Sequence, residues 1–540
     1  MSGVRQGNSP RDFALVVNAD DTSRFEGIAP FYRGRAKLSV PAGHYWALGG
    51  FATGPRHGAF TFHVPILPQF TVREDKTVHL AARAADSLIR VVTPRRAVPD
   101  DALTEFYHPT PDGPAAAVWW SGGYGPMYVS PTTRRPTAGS LHEYNFEQLR
   151  SPAGTTGVPY QYNIAFTWSG LIPQQRYVVR PAGLATVHAR YYSDVNTTGS
   201  QSRSGLFPVQ WQTLPDITFV PLRVPRQQTE YMTGNPALLW SDSYEQSSTA
   251  GGQADGLRSF ASGARLTENW NAYPLHAGYN SDLIGAANLN PAIPSASRAG
   301  NKLTLDVTPF SDSTPGHLSA SGFFGGPFGP AAKITGHYEI DVNGTVIASG
   351  DPLKHDQAVG RGGQFHTQVV LGPHPSTVRL VLDASRKAKI YTISTASHTV
   401  WTWRSARRPG ARVPAGWGCA VGAGGTVTGH SCAVQPMMTL EYSLAGESLH
   451  GSTRPGRQVL HVLAGHLQHA QAARATGAKV SVSFDGGKTW HAARVTGHSG
   501  YYTAVFTAPA GAKVTLRTSA TDAAGGTVTE TLTDAYQISP

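Results

Sequence analysis

Helical patterning is nearly missing from these 540 residues. Only 461–476 has appreciable helix-forming composition, and the same run reads equally as a strand and loop. Charge is scarce too: Asp, Glu, Lys and Arg make up 15% of the chain, well under the usual share of about 25%. The formal balance of +11 permits attraction to acidic polymers such as cell-wall or nucleic-acid phosphates. The basic residues are scattered, however, and the densest group, Arg404, Arg407, Arg408 and Arg412, lies in a segment that reads as a linker. With no recognition helix or RNA-binding motif, no nucleic-acid partner is expected. No apolar run reaches membrane-spanning length, so no membrane partner is expected either. Residues 1–12 are polar and lack the apolar core of a signal peptide. If the protein acts outside the cell, its export signal is expected in sequence not present here.

Cysteine is limited to Cys419 and Cys432, separated by a glycine-rich stretch flexible enough to bring the sulfurs together. A lone pair favours a disulfide in an oxidising compartment, the other reading being two unpaired thiols. Closing such a loop stabilises by about 3 kcal/mol in the chain-entropy model. A metal would need more ligands than two.

Reactive motifs are missing as well. There is no Gly-x-Ser-x-Gly elbow, no Gly-Thr-Ser-x-Ala and no His-Gly-Thr-His. Gly429-His430-Ser431-Cys432 gathers three reactive residue types, but beside the expected disulfide. His461, His466 and His469 form the best histidine cluster, with no His-Glu-x-x-His and no suitably spaced carboxylate, so they read as histidines at a sandwich edge. Glu105, Glu143, Glu230, Glu268 and Asp341 are available for paired-carboxylate chemistry, which needs side chains from separate strands to meet. No Gly-rich loop cradles a phosphate between strand and helix. No catalytic residue, metal site or cofactor is expected.

What is present is β-structure. The 59 glycines and 39 prolines punctuate short runs of period two, and 40% hydrophobic residues suffice for real cores. The expected fold class is all-β, as tandem β-sandwiches in about three to five domains. Residues 1–95 end one strand on Pro41-Ala-Gly43-His-Tyr45, as transthyretin-like sandwiches do, and begin late, as though a first strand were missing. Residues 96–225 form an aromatic-rich β domain. Here Trp119, Trp120, Tyr124 and Tyr128 offer a stacking platform for a sugar or peptide, or else core and sandwich edge. Residues 226–405 read as a larger sandwich with an Asn343-Gly344 hairpin, 406–435 as the disulfide loop or linker, and 436–540 as an immunoglobulin-like sandwich, the set being transthyretin-like, jelly-roll-like and immunoglobulin-like in kind.

In that last unit Ser483-Phe-Asp485-Gly-Gly487-Lys-Thr489-Trp490 joins two alternating runs. Asp-Gly-Gly supplies residues that reach positive φ, and the carboxylate can accept from backbone N–H groups further on. The spacing resembles the Asp-box turn of sialidases, in which the carboxylate is a structural fastener; sialidase-like propellers carry several copies and this chain one.

The order of Val40-Pro-Ala-Gly-His-Tyr45, His79-Leu-Ala-Ala-Arg83, Gln228-Thr-Glu-Tyr231, Val400-Trp-Thr-Trp-Arg-Ser405, Cys419 with Cys432, and Val480-Ser-Val-Ser-Phe-Asp-Gly-Gly-Lys-Thr-Trp490 spans nearly the whole chain. It resembles the C-terminal, non-catalytic half of large secreted subtilisin-like serine peptidases (family S8) of actinomycetes. That resemblance implies an extracellular accessory region partnered, in cis or in trans, by a subtilisin-like catalytic domain, which stabilises the enzyme or targets it to substrate or cell wall. The catalytic half is absent, so no catalytic residue carries over. A stand-alone carbohydrate- or wall-binding protein is the alternative. A hydrolase with an unrecognised site would show a Ser or Glu clustered with His in a deep pocket.

Overall fold

Phe13, Leu15 and Val17 alternate along the strand Asp12–Asn18 and pack with Trp46, Leu48, Val64 and Val129 in the first core. Val16 faces the other way, with Tyr45 and Ala47. The computed structural model describes residues 12–54, 60–109, 118–121, 125–207, 220–246, 252–255, 258–279, 293–320, 334–352, 365–386, 391–421, 426–427 and 429–540. The fold is all-β. Its only helical elements among the described residues are the single turns Thr22–Arg24, Ala82–Ala84 and Pro181–Gly183. None is long and apolar enough to cross a membrane.

The first sheet runs in the order Glu26–Pro30, Asp12–Asn18, Gly43–Thr53, Thr61–Val64, Met127–Val129, Ser87–Leu88. Gly50 is required in it, because a Cβ there would stand 2.3 Å from the Phe13 ring.

A seven-stranded sheet follows, ordered Arg265–Trp270, Leu184–Tyr191, Arg226–Thr233, Tyr160–Ser169, His142–Arg150, Val98–Tyr107, Val118–Ser121. It packs on a five-stranded sheet that includes Val220–Val224, Thr197–Leu206 and Leu239–Gln246. The faces meet through aromatic pairs, Phe146 with Trp240 at 6.1 Å and Tyr191 with Tyr244 at 5.0 Å between ring centroids.

A nine-stranded sheet dominates the rest. It includes Ile334–Val342, Ser376–Arg386, Ala396–Ser405, Thr527–Ile538, Lys513–Asp522 and Ala475–Ser483 in that order. Against it lie sheets built on Lys302–Ser311 and on Gly456–His466, and one continuous core joins Trp401, Leu380, Leu440, Val462, Leu516 and Val528.

Backbone hydrogen bonds cross the divisions expected at 95, 225 and 405. Met127–Val129 joins the first sheet beside Thr61–Val64, and Arg226–Thr233 lies between Tyr160–Ser169 and Leu184–Tyr191. Thr527–Ile538 pairs with Ala396–Ser405. Turn residues mark where a strand stops; they carry no record of which strand it will sit beside. The run 461–476 takes the strand-and-loop form, as the end of Gly456–His466 and the connection to Ala475–Ser483.

Candidate functional site

The turn at 483–490 is closed by its own side chains. Ser483 Oγ donates to Asp485 Oδ1 (2.7 Å) and accepts the Gly487 N–H (2.8 Å). Asp485 accepts the Thr489 N–H at Oδ1 (2.9 Å) and the Thr489 hydroxyl at Oδ2 (2.6 Å). Gly486 and Gly487 hold positive φ of 72° and 90°. Trp490 leaves the turn with the Arg517 guanidinium 3.9 Å above its ring. The hydrogen bonds from Thr489 and Ser483 hold the Asp485 carboxyl well below the usual carboxylate range.

Trp119 and Trp120 lie on the strand Val118–Ser121, but their side chains, like all of Tyr124, fall outside the described residues. Tyr128 is half-buried on Met127–Val129. Its ring stacks on that of His63, 5.0 Å between centroids and 9° from parallel, so one face is already occupied by protein.

Two of the five carboxylates considered from sequence do meet. Glu230 and Glu268, from neighbouring parts of the seven-stranded sheet, converge with Asp242 of the facing sheet on Arg203. Arg203 reaches Glu230 through Nε at 2.8 Å, Asp242 through Nη1 at 2.8 Å and Glu268 through Nη2 at 2.7 Å. Tyr191 and Gln228 also donate to Glu230, at 2.6 and 2.7 Å. Arg258 pairs with Asp242 at 3.3 Å and with Glu268. Burial pushes the Glu268 carboxyl up, but Arg203 and Arg258 outweigh it and leave the pKa lowered. For Asp242 burial wins and the pKa is raised. Every member but Arg258 is buried, so the group bolts one sheet to the other and offers no substrate an acid or base.

The other three lie apart. Glu105 accepts from the Tyr107 hydroxyl at 2.6 Å, and Asp341 accepts the Gly344 N–H within its hairpin turn. Glu143, fully buried, accepts the side-chain amides of Asn145 (2.9 Å) and Gln175 (2.8 Å). Burial raises its pKa to about 7 against those two amides.

The three histidines go separate ways. His461 Nδ1 lies 3.1 Å from Thr503 Oγ1, His466 Nε2 lies 3.0 Å from Asp522 Oδ2, and His469 stands edge-on to Trp417. Cys419 and Cys432 form a disulfide, both buried, which fits an oxidising compartment. His430 beside it is tied to the Trp417 carbonyl, Nδ1 to O 2.7 Å.

Sequence reading overlooked a Ser–His–Glu grouping. Ser313 Oγ lies 2.8 Å from His276 Nε2, Glu441 Oε2 lies 3.5 Å from the same nitrogen, and Nδ1 lies 2.8 Å from the Ala277 carbonyl. In a nucleophilic triad the carboxylate orients the opposite ring nitrogen; here serine and carboxylate share one. Burial lowers the His276 pKa, but Glu441, together with Glu530 and the Ala277 carbonyl, more than reverses this and the net shift is upward, favouring an imidazolium that donates rather than a base that accepts. Ser313 Oγ also accepts the Tyr442 N–H at 2.6 Å, closing the edge of Met438–Leu444. The geometry is that of a staple between three segments. Residues this far apart in sequence share no motif that would announce them.

No protein-family model matches the chain, and no curated protein matches it.

Proposed function

We propose that this chain is the non-catalytic, all-β accessory region of a secreted subtilisin-like serine peptidase, stabilising the enzyme or targeting it to substrate or cell wall. One observation carries the reading: among the described residues, the groupings at Arg203 and at His276 are spent on joining sheets and segments. The Cys419–Cys432 disulfide supports work in an oxidising, extracellular setting. The Ser483–Asp485–Thr489 bonding supports the Asp-box reading of the turn, as a fastener.

The reading frame upstream of Met1 tests the proposal. An in-frame continuation with a signal peptide and an Asp, His and Ser triad is the expected result. A stop codon and promoter directly upstream would overturn it.

A stand-alone carbohydrate-binding protein is favoured instead by Tyr501, 72% exposed beside Leu463 on an open sheet face. Retention on cell wall, chitin or cellulose that is lost in Tyr501→Ala would move the assignment there.

A further inference from the structure

We propose that the edge formed by residues 298–302, 371–376, 404–412 and 467–474 binds an acidic extracellular polymer whose repeats carry phosphodiester groups. This deepens the targeting half of the reading above and rests on it.

The four segments are tied to one another. Arg298 donates through Nη2 to the Gly372 carbonyl (2.6 Å) and through Nη1 to Ser405 Oγ (3.1 Å). Arg407 Nε donates to Asn301 Oδ1 (2.7 Å), and the Leu371 N–H to the Asn301 carbonyl (2.7 Å). Arg408 donates to the side chain and carbonyl of Gln471, and Trp417 meets His469 at 5.1 Å.

Their charge is of one sign. Together they hold Arg298, Lys302, Arg404, Arg407, Arg408, Arg412 and Arg474, with no Asp or Glu, and the sequence has no acid anywhere between Asp383 and Glu441. All seven but Arg298 are exposed. None of them is in an ion pair among the described residues. Asp522, whose turn touches Arg474 through the Ala523 N–H, is buried and occupied by His466 and two backbone N–H groups.

Arg298 points most directly to an anion. It is 2% exposed, yet its three hydrogen bonds go to the carbonyls of Gly300 and Gly372 and to the Ser405 hydroxyl. Buried charges are ordinarily paired with an opposite charge. Here the charged neighbour is another cation: burial and Arg407 both push the Arg298 pKa down. An anion seated at this edge would relieve both.

Arginine chemistry narrows the occupant. Six of the seven cations are guanidinium groups, whose planar forks match phosphate oxygens two at a time. The four segments contain no Phe, Tyr or Trp on which a base could stack, which disfavours single-stranded nucleic acid. Leu371 and Leu467 are buried, and Val370 beside Lys302 is the one large hydrophobic side chain exposed at this edge among the described residues, too little to anchor in lipid.

The test is binding of the full chain to immobilised poly(glycerol phosphate) at about 50 and about 200 mM salt, where phosphate-dependent binding should fall steeply. R407A/R408A is expected to bind at least roughly tenfold more weakly, and R404A/R412A likewise, while R134A/R223A, with the same charge change on exposed residues elsewhere, stays within about twofold. Thermal unfolding confirms that each variant is folded. Equal loss in all three pairs would overturn the proposal, leaving only net charge. So would absence of binding by the wild type, or equal affinity for duplex DNA or anionic phospholipid vesicles. The upstream reading frame is scored independently, so failure of the peptidase assignment and failure of this surface are told apart.

Discussion

Arg203 Nη2 and Glu268 Oε2 lie 2.7 Å apart although they belong to opposite sheets of one sandwich, on Thr197–Leu206 and Arg265–Trp270. Arg203 also holds Asp242 on its own sheet and Glu230 on the other, so one guanidinium organises three buried carboxylates. Replacing it by Met leaves those charges facing one another with Arg258 as the one remaining ion-pair partner among the described residues. R203M is expected to destabilise by about 3–5 kcal/mol, read as the urea midpoint. Adding D242N should recover part of the loss, because one uncompensated charge is removed. A midpoint unchanged in R203M would contradict the bolt.

Glu143 makes stability depend on pH. Its pKa is raised from 4.5 to about 7 by burial. Between those values the native state holds a proton that the unfolded chain has released, so stability falls as pH rises through that window. E143Q keeps the shape without the charge. It is expected to match the wild type near pH 4 and to exceed it by roughly 3 kcal/mol at pH 8. Parallel pH–stability curves for the two proteins would refute this.

The Cys419–Cys432 link closes a loop of sequence separation 13. C419S/C432S should lose about 3 kcal/mol in denaturant unfolding. Dithiothreitol should bring the wild type down to the variant and leave the variant where it is.

Asp485 is an exposed carboxylate fastening its turn through Ser483 and Thr489. Its pKa is lowered, so the fastener persists as pH falls and is lost only well below the ordinary carboxylate range. Hydrogen exchange at the Thr489 amide reads it directly. Exchange should accelerate in D485A at pH 7, with core amides such as that of Val480 unchanged.

The features readable from sequence are those whose atoms are close along the chain. Ser483, Asp485 and Thr489 span one turn, and glycine–glycine φ freedom with carboxylate reach is enough to anticipate that Asp485 accepts a backbone N–H further on, as from Thr489. The cysteine pair and the period-two alternation of Asp12–Asn18 are local in the same sense. Arg203 and its three carboxylates draw on four strands, and Thr197–Leu206 is almost wholly polar in sequence, so no hydrophobic period marks its second half as buried. His63, the ring against Tyr128, arrives through parallel pairing of Thr61–Val64 with Met127–Val129, which nothing in either strand specifies. Loop closure over such distances is decided by the whole core, not by the turn beside a residue.

Glu530 accepts from the Ala277 N–H, the Thr399 hydroxyl and the Tyr442 hydroxyl, at 3.0, 3.0 and 2.8 Å. It sits on Thr527–Ile538, an interior strand of the nine-stranded sheet whose partner Ala396–Ser405 leaves the ribosome far earlier; Thr399 precedes Glu530 by 131 residues. At about 5–20 residues per second, the earlier half of that sheet waits roughly 7–26 seconds with an open edge and three donors unanswered. Until that strand arrives the region is a template without its keystone, exposed to pairing with other nascent chains. A holding factor during synthesis would act in that interval, and a chain stopped short of residue 527 would leave its central sheet unclosed.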